Sequence, residues 1–215
     1  MHLHLFNKQN SILSEFVSEL RDVNIQKDRM RFRNNIKRIG QLMAYELSKE
    51  LNFDTIKIKT PLGIHQSKVL NEQPVLATIL RAGLPMHDGF LSIFDRADCA
   101  YVSAFRKHTD ENNFDIIVEY LACPDLTNRN MILIDPMIAT GRSVVESYQT
   151  LLQNGTPKSL HIVGLIAAKK GIEHLKKKLP EAMVWIADVD DDLNAKGYIV
   201  PGLGDAGDLS FGEKL

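Results

Sequence analysis

Cysteine is scarce in this chain of 215 residues: Cys99 and Cys123 are the only two. Two thiols form no disulfide framework and no metal-binding spacing, so they are expected to be reduced in a reducing compartment. A surplus of either charge is missing as well. Lys and Arg number 26 against 27 Asp and Glu, for a net charge of -1. No global field therefore recruits nucleic acid, and any anion site has to be local. Long hydrophobic runs are absent too, since no apolar stretch reaches the ~18 residues a membrane helix requires. The N-terminus, MHLHLFNKQNSILSEFVSELRD, lacks a basic region leading into an apolar core and a small-residue cleavage site. A signal peptide is not expected, and the expected location is cytoplasmic. His2 and His4 have no indicated third ligand and read as an exposed pair rather than a metal site. There is no internal repeat and no low-complexity segment, and the length suits one domain.

The first quarter is helical in pattern. In SILSEFVSELRD the apolar residues Ile12, Leu13, Phe16, Val17 and Leu20 share one helix face. KDRMRFRNNIKRIGQLMAYELSKEL repeats the spacing with Met30, Ile36, Ile39, Met43 and Leu47. Its first turns are strongly basic, and most of these charges read as a solvated face. TIKIKT (55–60) alternates as a half-exposed strand would. Then the pattern changes. VLATIL (75–80), CAYVSAF (99–105), MILID (131–135), LHIVGLIAA (160–168) and MVWIA (183–187) are short apolar runs. Between several of them lie helix-like stretches, such as SVVESYQTLLQNG and GIEHLKKKLP. Apolar strands alternating with amphipathic helices predict a parallel sheet covered on both faces. Residues 107–130 are long for a simple connection, and FDIIVEYLA within them suggests a hairpin arm.

Ligands of such sheets bind beyond the carboxyl ends of the strands. Those positions hold Arg81-Ala82-Gly83, Arg106-Lys107, the segment Asp135 to Ser143, and Lys169-Lys170. Three are basic, and the fourth is a loop of small residues feeding a helix. That loop presents backbone N–H groups at a helix N-terminus, where the dipole favours an anion. Gly141 permits close approach, and Thr140 and Ser143 add hydroxyls. No Gly-Lys-Ser/Thr closes the loop, so it is no Walker A motif and suits a single phosphate. Asp135 is placed to accept hydrogen bonds from sugar hydroxyls. A phosphate and vicinal hydroxyls at this separation describe a ribose 5-phosphate. A second signal is KGYIVPGLGDAGDLSFG (196–212), where glycines alternate with Asp205 and Asp208 beside Tyr198, Ile199 and Phe211. Its backbone groups can approach the edge of a planar ligand closely.

ILRAGL, ILIDPMIATGRS and GYIVPGLGDAGD resemble, in order and spacing, the signature segments of uracil phosphoribosyltransferases. RFRNNIKRIGQLMAYE resembles the helical lead-in of that family, so the likeness spans roughly residues 10 to 212. The resemblance implies a type I phosphoribosyltransferase-like α/β fold. Its central sheet is mainly parallel and flanked by helices, with a projecting β-hairpin arm and a small uracil-binding C-terminal hood. It implies one domain over 1–215, with a helical lead-in over 10–51, a core over 52–187 and a base-binding segment over 188–215. It further implies transfer of the phosphoribosyl group of 5-phospho-α-D-ribose 1-diphosphate (PRPP) to N1 of uracil, giving UMP and diphosphate in pyrimidine salvage.

By the same resemblance Asp135, Pro136, Met137, Ile138, Ala139, Thr140, Gly141, Arg142 and Ser143 hold the 5′-phosphate and ribose. Arg81 and Arg106 match the diphosphate-binding arginines, and with Asp135 they form the catalytic set. Ile199, Gly204, Asp205 and Ala206 match the uracil-binding segment, and Asp205 also matches a contact to PRPP. Mg²⁺ is expected on the diphosphate without a direct protein ligand, GTP is raised as an allosteric activator, and a homodimer or larger homo-oligomer is expected. The chain departs from the family where Arg142 replaces a glycine, which would cost ~1–3 kcal/mol if that position needs a positive φ. It departs again at Lys169-Lys170 and at Asp191-Asp192. These changes motivate the alternative of a catalytically weak paralogue that senses UMP or PRPP.

Overall fold

The computed structural model describes residues 1–8, 10–110 and 113–214, with side chains outside that description from 104 to 119. The chain starts with strand β1 (His2–Leu5), then helices α1 (Ile12–Arg21) and α2 (Arg29–Ser48). A hairpin of β2 (Phe53–Thr60) and β3 (Gly63–Leu70) follows. Next come β4 (Val75–Leu80), α3 (Leu84–Leu91), β5 (Asp98–Asp110) and β6 (Asn113–Ala122). The second half holds β7 (Asn130–Ile134), β8 (Met137–Ile138), α4 (Arg142–Leu151), β9 (Ser159–Ala168) and α5 (Lys169–Lys178). The chain closes with β10 (Met183–Asp190), β11 (Asp192–Leu193), β12 (Ile199–Val200) and α6 (Ala206–Phe211).

An eight-stranded sheet runs in the order β1-β10-β9-β7-β4-β5-β6, with β8 paired to β9. Every pairing is parallel except β5 with β6. The five apolar runs supply its middle, as their composition predicts. Side chains alternate between two cores, as the two-residue strand period dictates. Leu76, Ile132, Ile134, Val163, Leu165 and Trp185 face one core with α1, α2 and α3. Val75, Ala77, Met131, Leu133, Ile162 and Val184 face the other with α4 and α5. Strands buried on both faces read as continuous hydrophobic runs, which is why these five were legible.

Asp28 caps α2 by accepting from the N–H groups of Met30 and Arg31. The buried face of α2 carries Phe32, Ile36, Ile39, Met43 and Leu47. Met30, expected on that face, is exposed instead. It sits on the first turn beside the cap, one position off the stripe that Phe32 begins. Gly40 and Gly89 let α2 and α3 cross closely, because a Cβ on Gly89 would lie 2.3 Å from the Lys37 carbonyl oxygen.

The strands β1, β3 and β8 are among the elements the sequence pattern does not reveal. MHLHL forms the edge strand β1 in parallel register with β10, so His4 stacks on Trp185 with ring centroids 3.8 Å apart. The His2–His4 pair is therefore only half a surface feature. TIKIKT pairs with a partner, β3, in a separate two-stranded hairpin. The short β8 pins part of the small-residue loop to β9. The arm expected in 107–130 is the β5–β6 hairpin. β5 pairs with β4 from Asp98 to Ser103 and with β6 from Tyr101 to Asp110.

Candidate active site

Parallel strands bring their carboxyl ends to one edge of the sheet. β7 pairs with both β4 and β9, and Ile134 lies in register with Thr78 on one side and Val163 on the other. Leu80 lies in register with Ser103 of β5. Arg81 and Asp135 thus leave the neighbouring strands β4 and β7 at the same edge, while β5 runs on past it. Arg106 belongs to β5, in register with Ile116, and its side chain falls outside the described residues.

The Asp135–Ser143 loop is built from the sheet outward. The Asp135 N–H donates to the Val163 carbonyl at 3.0 Å. The Pro136 carbonyl accepts from Leu165 and Ile166 at 3.0 and 2.9 Å. Asp135 Oδ1 accepts from the Met137 N–H at 3.3 Å, which turns the carboxylate toward the loop. Thr140 Oγ1 accepts weakly from the Arg142 N–H at 3.4 Å. Asp135, Met137, Ile138, Ala139, Thr140, Gly141, Ser143 and Val144 line one concavity. The first turn of α4 opens into it with N–H groups that have no intrahelical acceptor.

Gly141 sits at φ +75°, and a Cβ there would lie 2.9 Å from the Gly171 carbonyl oxygen. Both the dihedral and the contact call for glycine. Arg142 answers the departure noted above. It opens α4, and among the described non-glycine residues only Asn128 has a positive φ. Arginine at this position carries no left-handed strain.

Gly171 is a residue the sequence reading missed. It lies in the first turn of α5, where a Cβ would stand 2.6 Å from the Ala139 carbonyl oxygen and 2.7 Å from that of Ile138. The absence of a side chain lets α5 support the loop from behind. Its only sequence signal was a glycine inside an otherwise helical pattern.

The Arg81-Ala82-Gly83 turn folds back on β4. A Cβ on Gly83 would lie 2.1 Å from Thr78 Oγ1, so that turn needs glycine. The peptide bond before Arg81 is cis. One Arg81 terminal nitrogen donates to Asp208 Oδ1 at 3.0 Å and to the Gly212 carbonyl at 3.1 Å. Its Nε is buried with no hydrogen-bond partner. A buried guanidinium donor without an acceptor is costly unless a ligand supplies one. Lys169 does not extend this basic set into the concavity. Its ammonium pairs with Asp191 Oδ1 at 2.5 Å, so two of the departures from the family pattern neutralise each other.

The C-terminal segment forms a small hood. β11 and β12 pair antiparallel, with Leu193 opposite Ile199. Asn194 Oδ1 ties the turn between them by accepting from Lys196 and Tyr198 at 3.0 Å each. Gly202 and Gly204 hold φ of +58° and +99°. Asp205 then caps α6, its Oδ1 accepting from the Asp208 N–H at 3.0 Å. Ile199 and Ala206 are buried. Their side chains pack into the core beside Leu203. The contact from Asp208 to Arg81 joins this hood to the strand ends. The structure therefore brings Arg81, the 135–143 loop and the 199–206 segment to one end of the sheet.

A sequence model of the uracil phosphoribosyltransferase family matches residues 7–213. A protein of Porphyromonas gingivalis named uracil phosphoribosyltransferase is 49% identical, covering 99% of this chain and 99% of its own length. One of the same name from Thermococcus sibiricus is 38% identical, over 94% of this chain and 87% of its own. Among solved structures, a protein of Aquifex aeolicus superposes with a TM-score of 0.86 at 28% identity, covering 96% of this chain and 97% of its own.

Proposed function

The chain belongs to the uracil phosphoribosyltransferase family, and we infer that it is the enzyme that transfers the phosphoribosyl group of PRPP to N1 of uracil. The bond from ribose C1 to the diphosphate breaks, and a bond from uracil N1 to C1 forms. The N1 proton leaves to solvent or to the diphosphate. The products are UMP and diphosphate.

The roles follow from the chemistry of each group. The N–H groups around Gly141 and the hydroxyls of Thr140 and Ser143 take the 5′-phosphate. The Asp135 carboxylate accepts from the ribose hydroxyls and fixes C1. Breaking the C1–O bond leaves positive charge on the ribose and negative charge on the diphosphate. Arg81 and Arg106 neutralise that leaving group. The observation that carries this reading is the placement of Arg81 at the strand edge, its side chain 39% exposed and oriented by Asp208 and the Gly212 carbonyl. No covalent nucleophile is required, and the protein contributes alignment and exclusion of water.

Among the described residues, no group of three or more His, Cys, Asp or Glu side chains could hold a metal ion. Mg²⁺ carried by the oxygens of PRPP would add charge neutralisation to the leaving diphosphate, beside Arg81 and Arg106. A GTP effect belongs to the same proposal and is read by adding GTP to the assay.

Uracil offers two carbonyl acceptors and one N–H donor on its recognition edge. Backbone groups of Ile199, Gly204, Asp205 and Ala206 match that pattern, and Asp205 also faces the donor. Cytosine would leave buried polar groups mispaired, a penalty large enough to exclude it. The segments 10–51, 52–187 and 188–215 then work as one domain, with the lead-in and base-binding parts closing over the core. No helix among the described residues is long and apolar enough to cross a membrane, which fits a cytoplasmic salvage enzyme. A homo-oligomer is supported by the β2–β3 hairpin, which leaves Phe53, Ile56, Ile58 and Ile64 exposed.

The test is Asp135→Asn. Ribose hydroxyls would lose a charged acceptor, so kcat/KM for PRPP is expected to fall by roughly 10–100-fold, from a contact worth ~1.5–3 kcal/mol. A variant with unchanged PRPP kinetics would remove Asp135 from the site.

A further inference from the structure

The base-reading segment is held in place not only by its own residues but also from the end of β10 and from the N-terminal helix α1. Asp190 at the end of β10 accepts the Gly202 N–H through Oδ2 at 2.9 Å. Arg21, the last residue of α1, donates to the Gly202 carbonyl at 2.8 Å and to the same Asp190 oxygen at 2.9 Å. Its other terminal nitrogen reaches Asp190 Oδ1 at 3.0 Å and Asp188 Oδ2 at 2.7 Å. One guanidinium thus grips two carboxylates and a carbonyl, and one of those carboxylates grips the N–H of the same residue. Both peptide groups of Gly202 are fixed. Asp188 is steadied in turn by Asn7, which donates to its Oδ1 at 2.8 Å.

Gly202 has little freedom of its own. Its φ is +58°, and a Cβ would lie 2.2 Å from the Ile199 carbonyl oxygen. It stands between Ile199 and Gly204, the residues assigned above to the edge of uracil. The next carbonyl, that of Leu203, accepts from Gln26 Nε2 at 3.3 Å. The side chains of Arg21 and Asp190 retain 20% and 8% of their exposure, so water competes poorly for these contacts. A bidentate arginine–carboxylate pair in such a place sets geometry as well as charge.

We propose that Arg21 is a positioning residue for uracil recognition, clamping Gly202 so that the backbone of 199–206 presents a preformed edge to the base. The inference rests on the assignment of that segment to uracil. Recognition by backbone groups tolerates little misplacement, because the donors and acceptors cannot rotate to follow the ligand. The side-chain hydrogen bonds of Arg21 are to Gly202, Asp190 and Asp188, and it acts through them.

The experiment is steady-state kinetics of wild type, Arg21→Gln, Arg21→Lys and Asp190→Asn, varying uracil and PRPP separately. Arg21→Gln is expected to raise KM for uracil by about tenfold, equivalent to about 1.4 kcal/mol, and to leave KM for PRPP within about twofold. Arg21→Lys keeps one charged contact, so it should recover part of the loss. If Arg21→Gln does not fold, Asp190→Asn carries the test, because it weakens the grip of Arg21 and still leaves an acceptor for the Gly202 N–H. It should show the same selective rise in uracil KM. Equal changes in both KM values, or uracil KM within twofold of wild type in the soluble variants, would overturn the proposal. Wild type that makes no UMP would instead refute the underlying assignment.

Discussion

Replacing Gly141 with alanine should damage the phosphate site while leaving uracil binding intact. Two separate costs are set by the geometry. The backbone stands at φ +75°, and an L-residue held there costs roughly 1–2 kcal/mol. The added Cβ would also press on the Gly171 carbonyl oxygen at 2.9 Å. That atom is backbone in the first turn of α5 and cannot swing aside. The loop or α5 has to shift, and with it the N–H groups of the first turn of α4, which are proposed to take the phosphate. For a chain of this size the backbone cost alone lowers Tm by roughly 2–8 °C. Losing one charge-assisted hydrogen bond of ~1.5–3 kcal/mol raises KM for PRPP by roughly 10–100-fold. Thermal unfolding and initial-rate assays with each substrate varied in turn would read both effects. KM for uracil should stay near wild type. A Gly141→Ala enzyme with wild-type PRPP KM would show that the phosphate does not sit over this loop.

Three further outcomes are expected. Arg81→Lys keeps the charge and loses the planar guanidinium that contacts Asp208 and Gly212 and that is proposed to take the diphosphate. Its kcat/KM for PRPP should fall by about 10–100-fold, and an unchanged value would displace Arg81 from the leaving group. Arg142→Gly relieves no strain, because Arg142 already takes a helical conformation. Kinetics of this variant should show no gain in kcat, and a faster enzyme would contradict the loop geometry. Stability should decline with acid through His161, which accepts from Trp185 Nε1 at 3.2 Å. Burial first, and then the neighbouring His4, lower its pKa from 6.5 to about 4. The unfolded chain therefore takes up this proton before the folded one does. The stabilisation is complete above pH 6.5 and drains away as pH falls toward 4. At pH 5 the loss is about 2 kcal/mol, which denaturant titrations at pH 7.5 and pH 5 should show. His161→Gln keeps an acceptor for Trp185 and should lack that share of the slope. An identical slope in the variant would rule His161 out as its source.

Much of the sheet was legible because burial on both faces leaves a plain mark, as in VLATIL and MILID. The small-residue loop from Asp135 to Ser143 was legible as a turn into a helix because its needs are local, with small residues, a glycine and a helix start in consecutive positions. What escaped depends on distant partners. Gly171 is required by the carbonyls of Ile138 and Ala139, more than thirty residues away in sequence. The harmlessness of Arg142 follows from where the helix begins, and the pairing of Lys169 with Asp191 follows from how β10 ends. MHLHL does alternate, but an edge strand with histidines on one side carries too little apolar signal over so few residues. The partner strand GIHQSKVL is exposed along most of its length, so burial left almost no pattern to read. Arg21 is the last residue of an amphipathic helix, with no local pattern that marks it. Only the fold brings it to Gly202.

The most direct measurement is UMP formation by the full chain from uracil and PRPP with Mg²⁺, with cytosine run in parallel. The account predicts sustained turnover with uracil and none with cytosine. No turnover, together with tight UMP binding by calorimetry, would contradict it and make the protein a sensor of nucleotide rather than its maker.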